Sequence, residues 1–288
     1  MNVEAFLVNS FTANGRGGNP AGVVLHADKL SNQEKLEIAQ AVGYSETAFV
    51  SQDDEVDFEL SFFTITGEVD FCGHATLAAF SIMHQKGVIT EGQYVQRTKA
   101  GLLTVTIESN GHIVMEQKLP EYREEFAYQE VSELIGIDVK ILETTQLPIE
   151  VVSTGLHDLI VPVPLGYLDR IQVNQHLLSE FCKKYDLVGL HAFELCEKAS
   201  KLTASCRNFA PLFGIAEESA TGSASGALAC YLTKHLRDEH SDHFTFEQGR
   251  VMNCVSIITA SVERQQLDIS KVMVGGFAQQ IGQQQISV

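Results

Sequence analysis

Apolar and polar positions alternate over Val3–Phe11, the period of a strand with one buried face. A glycine-rich loop, Arg16-Gly17-Gly18-Asn19-Pro20, separates it from a short apolar strand over Ala21–His26. The period then changes. Ser31 with Glu34 three residues on is a capping-box signature, Ile38 and Ala39 supply an apolar face, and Gly43 is a terminator, so Ser31–Gly43 is predicted to be a helix. Thr47–Ser51 and Val56–Phe63 read as strands. His74–Gln85 reads as a helix apolar on nearly every side, and therefore enclosed by other elements. Strands over Gly101–Glu108 and His112–Lys118 form a hairpin about Ser109-Asn110-Gly111.

The second half of the chain follows the same course. Glu150–Ser153 and Leu159–Val163 are strand-like, Asn174–Tyr185 is helical, and Gly189–Cys196 and Leu202–Phe209 are strand-like again. Ser223–Lys234 is a second helix with apolar residues all round, followed by strands at His243–Glu247, Val255–Glu263 and Val272–Gln280. The order β-β-α-β-β-α-β-β in each half predicts an α+β chain built by duplication, with the joint near Leu119-Pro120. Residue identity between the halves is slight, so the order of elements carries this expectation.

One local match stands out. Cys72-Gly73-His74-Ala75 and Thr221-Gly222-Ser223-Ala224 both stand at the head of an enclosed helix, each with an acidic residue a few positions upstream. A helix start leaves about four backbone N–H groups without internal partners and carries partial positive charge. Glycine there lets a ligand approach the backbone closely. Two such tips would bind a carboxylate well, a site for moving protons on a small acid. Each tip also has a plainer reading, in which the glycines are helix-entry residues and His74 and Ser223 belong to the first turn. A base is still needed. Glu46, in Gly-Tyr-Ser-Glu-Thr-Ala-Phe-Val, follows a helix end and opens a strand whose apolar residues would desolvate a carboxylate, as general acid/base work requires. Its plainer reading is a surface Glu in a helix-to-strand turn.

The stretches VNSFTANGRGGNPAGVVL, YSETAFV, FFTITGEVDFCGHATLAAF, FAPLFGIAEESATGSASGALACYL, EQGRVMN and VGGFA together resemble the phenazine-biosynthesis PhzF-like family, in consistent order from residue 3 to about residue 278. The resemblance implies the diaminopimelate-epimerase fold: two pseudo-symmetric lobes, each a curved, mostly antiparallel sheet around a central helix, with the active site between them. The first lobe would comprise residues 1–117 plus 276–288 and the second residues 118–275. It also implies cofactor-independent isomerisation of a small carboxylate in a cytoplasmic biosynthetic enzyme, with a homodimer as the expected assembly. Glu46 matches the family's proton-moving glutamate and His74 the histidine of CGHAT, the catalytic pair. Gly73, Gly222 and Ser223 match the substrate-binding tips. Glu218 stands where the family commonly has an aspartate that contacts substrate, and the usual proline is replaced in Glu217-Glu218-Ser219-Ala220-Thr221-Gly222-Ser223. One extra methylene moves a carboxylate by about an ångström, a displacement that can cost roughly 100-fold in rate. A substrate other than the phenazine precursor is therefore expected. Cys72, Thr221 and Asn19 are further candidates for the site.

Two rivals are weighed against this reading. Relatives of this architecture resemble a pattern with a cysteine before each tip glycine, which makes an amino- or imino-acid epimerase, racemase or dehydratase using Cys72 the enzymatic alternative. Thr221 at the second position argues against a symmetrical two-thiol mechanism. A non-catalytic small-molecule-binding protein of the same fold is the other alternative, favoured by Glu218 and opposed by Glu46 and His74. Metal ligation by Cys72 and His74 would need another His or Cys nearby, and none is spaced for it. A Cys-His nucleophile pair is disfavoured because residues two apart at a helix start are expected to point in different directions. The anion cradle fits best, and no metal or organic cofactor is expected.

Composition narrows the partners. The chain has 288 residues, 44% of them hydrophobic, enough for one large core or two moderate ones. Its formal charge of −17 and the lack of any Lys/Arg-rich run provide no footprint for nucleic acid. The six cysteines are scattered without a CxxC pair and read as small hydrophobes of a reducing compartment. The start, MNVEAFLVNSFTANG, lacks a signal-peptide pattern, and no apolar run approaches the roughly 20 residues of a membrane span.

Overall fold

The computed structural model describes residues 2–236, 241–266 and 268–288. The chain divides into two compact units, Met1–Glu116 with Gly275–Val288, and Gln117–Val274. The first contains β1 (Asn2–Ser10), β2 (Asn19–Val24), α1 (Asn32–Val42), β3 (Thr47–Ser51), β4 (Phe58–Phe63), β5 (Glu68–Val69), α2 (Gly73–Gln85), β6 (Gly92–Thr98), β7 (Gly101–Ile107) and β8 (Ile113–Glu116). The second contains β9 (Glu121–Phe126), α3 (Tyr128–Ile135), α4 (Val139–Leu142), β10 (Ile149–Ser153), β11 (His157–Pro162), α5 (Gln175–Tyr185), β12 (Gly189–Leu195), β13 (Ala204–Ala210), β14 (Ile215–Glu218), α6 (Gly222–Leu236), β15 (Ser241–Gln248), β16 (Ser256–Gln265) and all but the last two residues of β17 (Asp268–Gly276). The last strand, β18 (Ala278–Ser287), returns to the first unit and pairs antiparallel with β1.

From β1 to β8 and from β10 to β17 the order of elements is the same, and so is the pairing. β2–β3 and β11–β12 are parallel, β3–β4 and β12–β13 antiparallel, and β4–β6 and β13–β15 parallel again. The pattern of the sequence had each half one or two strands short. β5 and β14 are short strands hydrogen-bonded to β4 and β13. β6 escapes recognition because its buried face carries Gln96 and Thr98, and β9 because only Phe126 of EYREEF is buried. α3 also went unrecognised, although Val131, Leu134 and Ile135 give it an apolar stripe. The single strand expected over Val272–Gln280 is two strands, β17 and β18, parted at Phe277. The carbonyl of Phe277 turns instead to the Thr12 N–H at 2.9 Å.

Local rules explain the helix boundaries. Ser31 accepts from the Glu34 N–H while the Glu34 carboxylate accepts from the Ser31 N–H at 2.8 Å, the capping box read from the sequence, and Gly43 closes α1 in the left-handed region. α2 lies against β1, β2, β3, β8 and β18, which accounts for the full burial of Leu77, Phe80, Ile82 and Met83. Each such side chain stabilises the unit by about 1.5–3 kcal/mol relative to exposure. α6 is embraced in the same way by β10, β11, β15 and β16. On the opposite face of each sheet lies a second core, α1 with Phe49 and Phe63 in the first unit, and α3 and α5 with Leu159, Leu190 and Phe209 in the second.

The fit between β12 and β13 leaves no room for a side chain at Gly189, where a Cβ would stand 2.2 Å from the Phe209 carbonyl oxygen. Gly189→Ala is expected to lower the urea midpoint by an amount equivalent to about 1–3 kcal/mol or more, because backbone rather than a flexible side chain must move. Equilibrium unfolding followed by circular dichroism checks it.

Candidate active site

Cys72 is the N-cap of α2 and holds an extended backbone, φ −145° and ψ 113°. A capping residue is not yet on the helical screw, and its side chain folds back over the first turn. The thiol of Cys72 accordingly lies 3.3 Å from His74 Nδ1 and 4.0 Å from Nε2. This corrects the expectation that the two side chains diverge, which applies helical directions to a residue that is not helical. The Thr76 hydroxyl donates to the Cys72 carbonyl at 2.9 Å and fixes the cap. The Ser10 hydroxyl donates to the His74 carbonyl at 2.6 Å. Ser10 is paired with Asn19 across β1 and β2, so Asn19 stands beside the anchor of His74.

Glu46 immediately precedes β3. Strand alternation places it with Ala48 and Val50 on the side of α2, away from Phe49 and the α1 core. Its carbonyl accepts from the Gly22 N–H at 3.0 Å, tying it to β2. Its Oε2 is buried and lies 3.3 Å from His74 Nε2, without a well-aligned hydrogen bond. The imidazole thus has a thiol at one nitrogen and a carboxylate at the other. The side chains of Glu46 and His74 are 19% and 8% exposed. That seclusion strengthens any charge interaction made there. Among the described residues, the ligand atoms of Glu46, Cys72 and His74 form a group within 4.8 Å of one another. The third donor that the sequence lacked comes from a residue 26 positions before Cys72 in the chain.

Gly73 has a different lesson. Its φ is not positive, and a Cβ there would meet nothing nearer than Phe71 at 3.9 Å and Met115 at 4.0 Å. Packing within the unit does not require glycine at this position.

At the head of α6, the two neighbouring glutamates separate. Glu217 forms a two-pronged pair with the buried Arg207 guanidinium, at 2.8 and 2.7 Å, and Arg207 also donates to the carbonyls of Leu168 and Ile171. Glu218 instead accepts from the Thr221 hydroxyl at 2.5 Å. The Gln248 amide holds this corner, donating to the Glu218 carbonyl at 2.8 Å and accepting from the Thr221 N–H at 3.1 Å. Gln248 belongs to the EQGRVMN stretch, whose place in the pattern is thereby explained, although sequence reading had not marked it as a site residue. Gly222 is buried at the first position of α6, and the Ser223 carbonyl accepts from the Thr154 hydroxyl at 3.2 Å. Two shallow hollows, of about 430 Å³ near Gln175 and Pro211 and about 460 Å³ near Phe6 and Lys86, include none of the candidate residues.

A polar row leads from this corner across the sheet of the second unit. Register places Glu218 opposite Asn208, Asn208 opposite His191, and His191 opposite Ile160, two residues from Asp158 on the same face. Asp158 Oδ1 is buried with no hydrogen-bond partner, and burial, reinforced by the charge of Glu218, pushes its carboxyl up to about 7. Burial pushes the His191 imidazole down to about 4, partly offset by its 3.0 Å contact with Asn208 Oδ1. Both groups are therefore neutral over much of the range below pH 7. No motif marked them, because a single Asp or His within a strand has no spacing signal.

The fold is of the α+β class, and the comparisons give the family, which includes proteins named as isomerases. Residues 8–282 match the family described as Phenazine biosynthesis-like protein, PhzC-PhzF. The Bacillus subtilis (strain 168) protein named Uncharacterized isomerase YfhB is 34% identical over 256 residues, 86% of each chain. The trans-2,3-dihydro-3-hydroxyanthranilate isomerase of Pseudomonas chlororaphis is 27% identical over 282 residues, 94% of each chain. The crystal structure of the Bacillus anthracis phenazine biosynthesis protein, PhzF family, matches over the whole of both chains with a TM-score of 0.91 and 28% identity. The chain belongs to the PhzC-PhzF family. No helix among the described residues is long and apolar enough to cross a membrane.

The pH dependence of stability tests the buried acid. The unfolded Asp158 carboxyl ionises near its ordinary 3.8 and the folded one near 7, so the folded state holds an extra proton between those values. Stability from this group is therefore fully present below about pH 4 and lost as pH rises to about 7. In Asp158→Asn this loss is absent. The difference in unfolding free energy between variant and wild type should grow toward the variant from about pH 4 to 7 and then level off, by on the order of a few kcal/mol. Urea titrations at several pH values check it.

Proposed function

We propose that the protein is a cofactor-independent isomerase in which Glu46 removes a proton from a carbon next to a carboxylate or conjugated system and returns it at another carbon. The observation that carries this reading is the secluded Glu46 Oε2, 3.3 Å from His74 Nε2 and without a competing hydrogen bond. An acceptor oxygen in that state can take a substrate proton without first giving up a partner. His74 is the group that hydrogen-bonds substrate or shares the proton after transfer. Its ring is positioned by the Ser10 anchor and by the Cys72 thiol. The N–H groups at the head of α2 stabilise negative charge as it develops on the substrate. Glycine at position 73, which packing does not demand, leaves those N–H groups accessible. Gly222 and Ser223 at the head of α6 are proposed as a second anion-binding element. Glu218 would serve as a substrate contact oriented by Thr221 and Gln248, which makes Thr221 a positioning residue.

The 3.3 Å approach of the Cys72 thiol to His74 supports a second reading, an epimerase or dehydratase in which Cys72 is the base. Binding without turnover is the third. Deuterium uptake from D2O separates them, read by mass spectrometry over small carboxylates that include trans-2,3-dihydro-3-hydroxyanthranilate and a set of amino and imino acids. The expected outcome is exchange in wild type that falls about 10²–10⁴-fold in Glu46→Gln, the usual contribution of a general base. Exchange that survives Glu46→Gln and fails in Cys72→Ser would transfer the role to the thiol. A panel member that binds by calorimetry without exchanging protons would favour a binding protein.

The helix tip makes a separate prediction. Gly73→Ala should fold with stability within about 1 kcal/mol of wild type, since alanine is at least as good a helix former and meets open space. Its KM for any turned-over carboxylate should rise by roughly 100-fold, because a methyl group displaces the anion from the backbone. Thermal unfolding and steady-state kinetics on the same preparation check both halves.

A further inference from the structure

At the head of α2 the Cys72 thiol stands 3.3 Å from His74 Nδ1, and the Glu46 carboxylate stands 3.3 Å from Nε2 of the same ring. Partners at opposite nitrogens of one imidazole cannot converge on a single ion. They form a line instead: a nucleophile, its base, and the group that orients the base. An ionised Glu46 can only accept, so it favours the tautomer with hydrogen on Nε2 and leaves the Nδ1 lone pair to the thiol. The backbone under each member is fixed. The Cys72 carbonyl accepts from the Thr76 hydroxyl, the His74 carbonyl from the Ser10 hydroxyl, and the Glu46 carbonyl from the Gly22 N–H. As the N-cap of α2, Cys72 also lies where partial positive charge favours an anionic sulfur. Other cysteines of the chain are placed differently. Burial pushes the thiols of Cys182 and Cys230 up to about 12, and that of Cys206 well above its ordinary value, so all three stay protonated at neutral pH.

We propose that Cys72 is a nucleophile, with His74 as its base and Glu46 as the orienting carboxylate, that forms thioethers with small α,β-unsaturated carboxylates. The S–H proton passes to His74 Nδ1, giving an imidazolium whose Nε2–H faces Glu46. The sulfur pair then forms an S–C bond at one carbon of the double bond. The π pair moves to the neighbouring carbon and takes the proton back from Nδ1. One thiol and one alkene become one thioether, nothing leaves, and no further reactant is needed. Acids are preferred to neutral alkenes because the N–H groups that open α2 attract a carboxylate. The adduct remains attached beside His74, so it blocks proton transfer at the site. That last consequence rests on the catalytic role proposed for Glu46, whereas thioether formation does not.

The test treats the whole, reduced chain with monomethyl fumarate and follows the adduct at each cysteine by peptide mass spectrometry. Cys72 should react at least about tenfold faster than Cys196 and Cys254. Those two are half-buried and Cys72 is buried, so exposure alone predicts the reverse order. His74→Gln should slow Cys72 by about 10²–10⁴-fold, the contribution of a general base. Unchanged rates at Cys196 and Cys254 show that the variant is folded, and Glu46→Gln provides the comparison should His74→Gln unfold. Glu46→Gln should slow Cys72 by at least about tenfold. A bystander carboxylate predicts the opposite, since its removal relieves repulsion of the anionic probe. With dimethyl fumarate, which lacks the acid, the ratio of the Cys72 to the Cys254 rate should be lower, and an equal ratio overturns the preference for acids. Cys72 reacting no faster than Cys196 and Cys254, or at a rate that survives in folded His74→Gln, overturns the nucleophile. Deuterium exchange without a fast Cys72 adduct sinks this inference alone. A fast adduct in a protein that exchanges no proton leaves it standing and removes the catalytic role proposed for Glu46.

Discussion

A helix buried on every side can meet a ligand only at its ends, and the site follows from that constraint. The sheet of the first unit covers the length of α2, including Leu77, Phe80, Ile82 and Met83, and leaves its head as the place where unpaired N–H groups are available. The same enclosure in the second unit isolates the head of α6. Burial of the helix stabilises the unit, and it also creates low-dielectric surroundings in which a terminal dipole and a carboxylate count for more than they would in water. Stability and chemistry thus have a common origin in the curvature of one sheet about one helix.

The two heads use their surroundings differently. At α2 the capping residue is a cysteine, and its extended backbone brings the thiol back onto the imidazole two residues later. At α6 the preceding residue is Thr221, whose hydroxyl is spent on Glu218 and whose N–H is spent on Gln248. The repeated element order supplies two equivalent frames, while side-chain chemistry makes one a thiol–imidazole–carboxylate cluster and the other a braced carboxylate. The neighbouring pair Arg207–Glu217 belongs to the scaffold. Its guanidinium also donates to the carbonyls of Leu168 and Ile171, through the nitrogen that Glu217 does not engage.

The neutral row of Asp158 and His191 behind Glu218 shows the cost of this arrangement. A buried carboxyl with an oxygen lacking any hydrogen bond is expensive when ionised, and the nearby Glu218 charge adds to that cost. The second unit tolerates a destabilising group near its candidate site, a pattern common where a fold serves chemistry as well as stability.

The sequence by itself determined the local and the periodic. It placed the capping box of α1, the enclosed helices, most strands, the duplicated order and the residues that carry the family resemblance, because these depend on spacing along the chain. Strands such as β6 and β9, whose buried faces carry few apolar residues, left no such trace. What only the tertiary structure decided was proximity. Glu46 and His74 are 28 positions apart, and no period relates them; strand alternation at β3 and the anchoring of α2 by Ser10 bring carboxylate and imidazole to 3.3 Å. The thiol beside that imidazole was mislaid for a related reason. Helical periodicity describes residues inside a helix, and Cys72 stands one step before it begins.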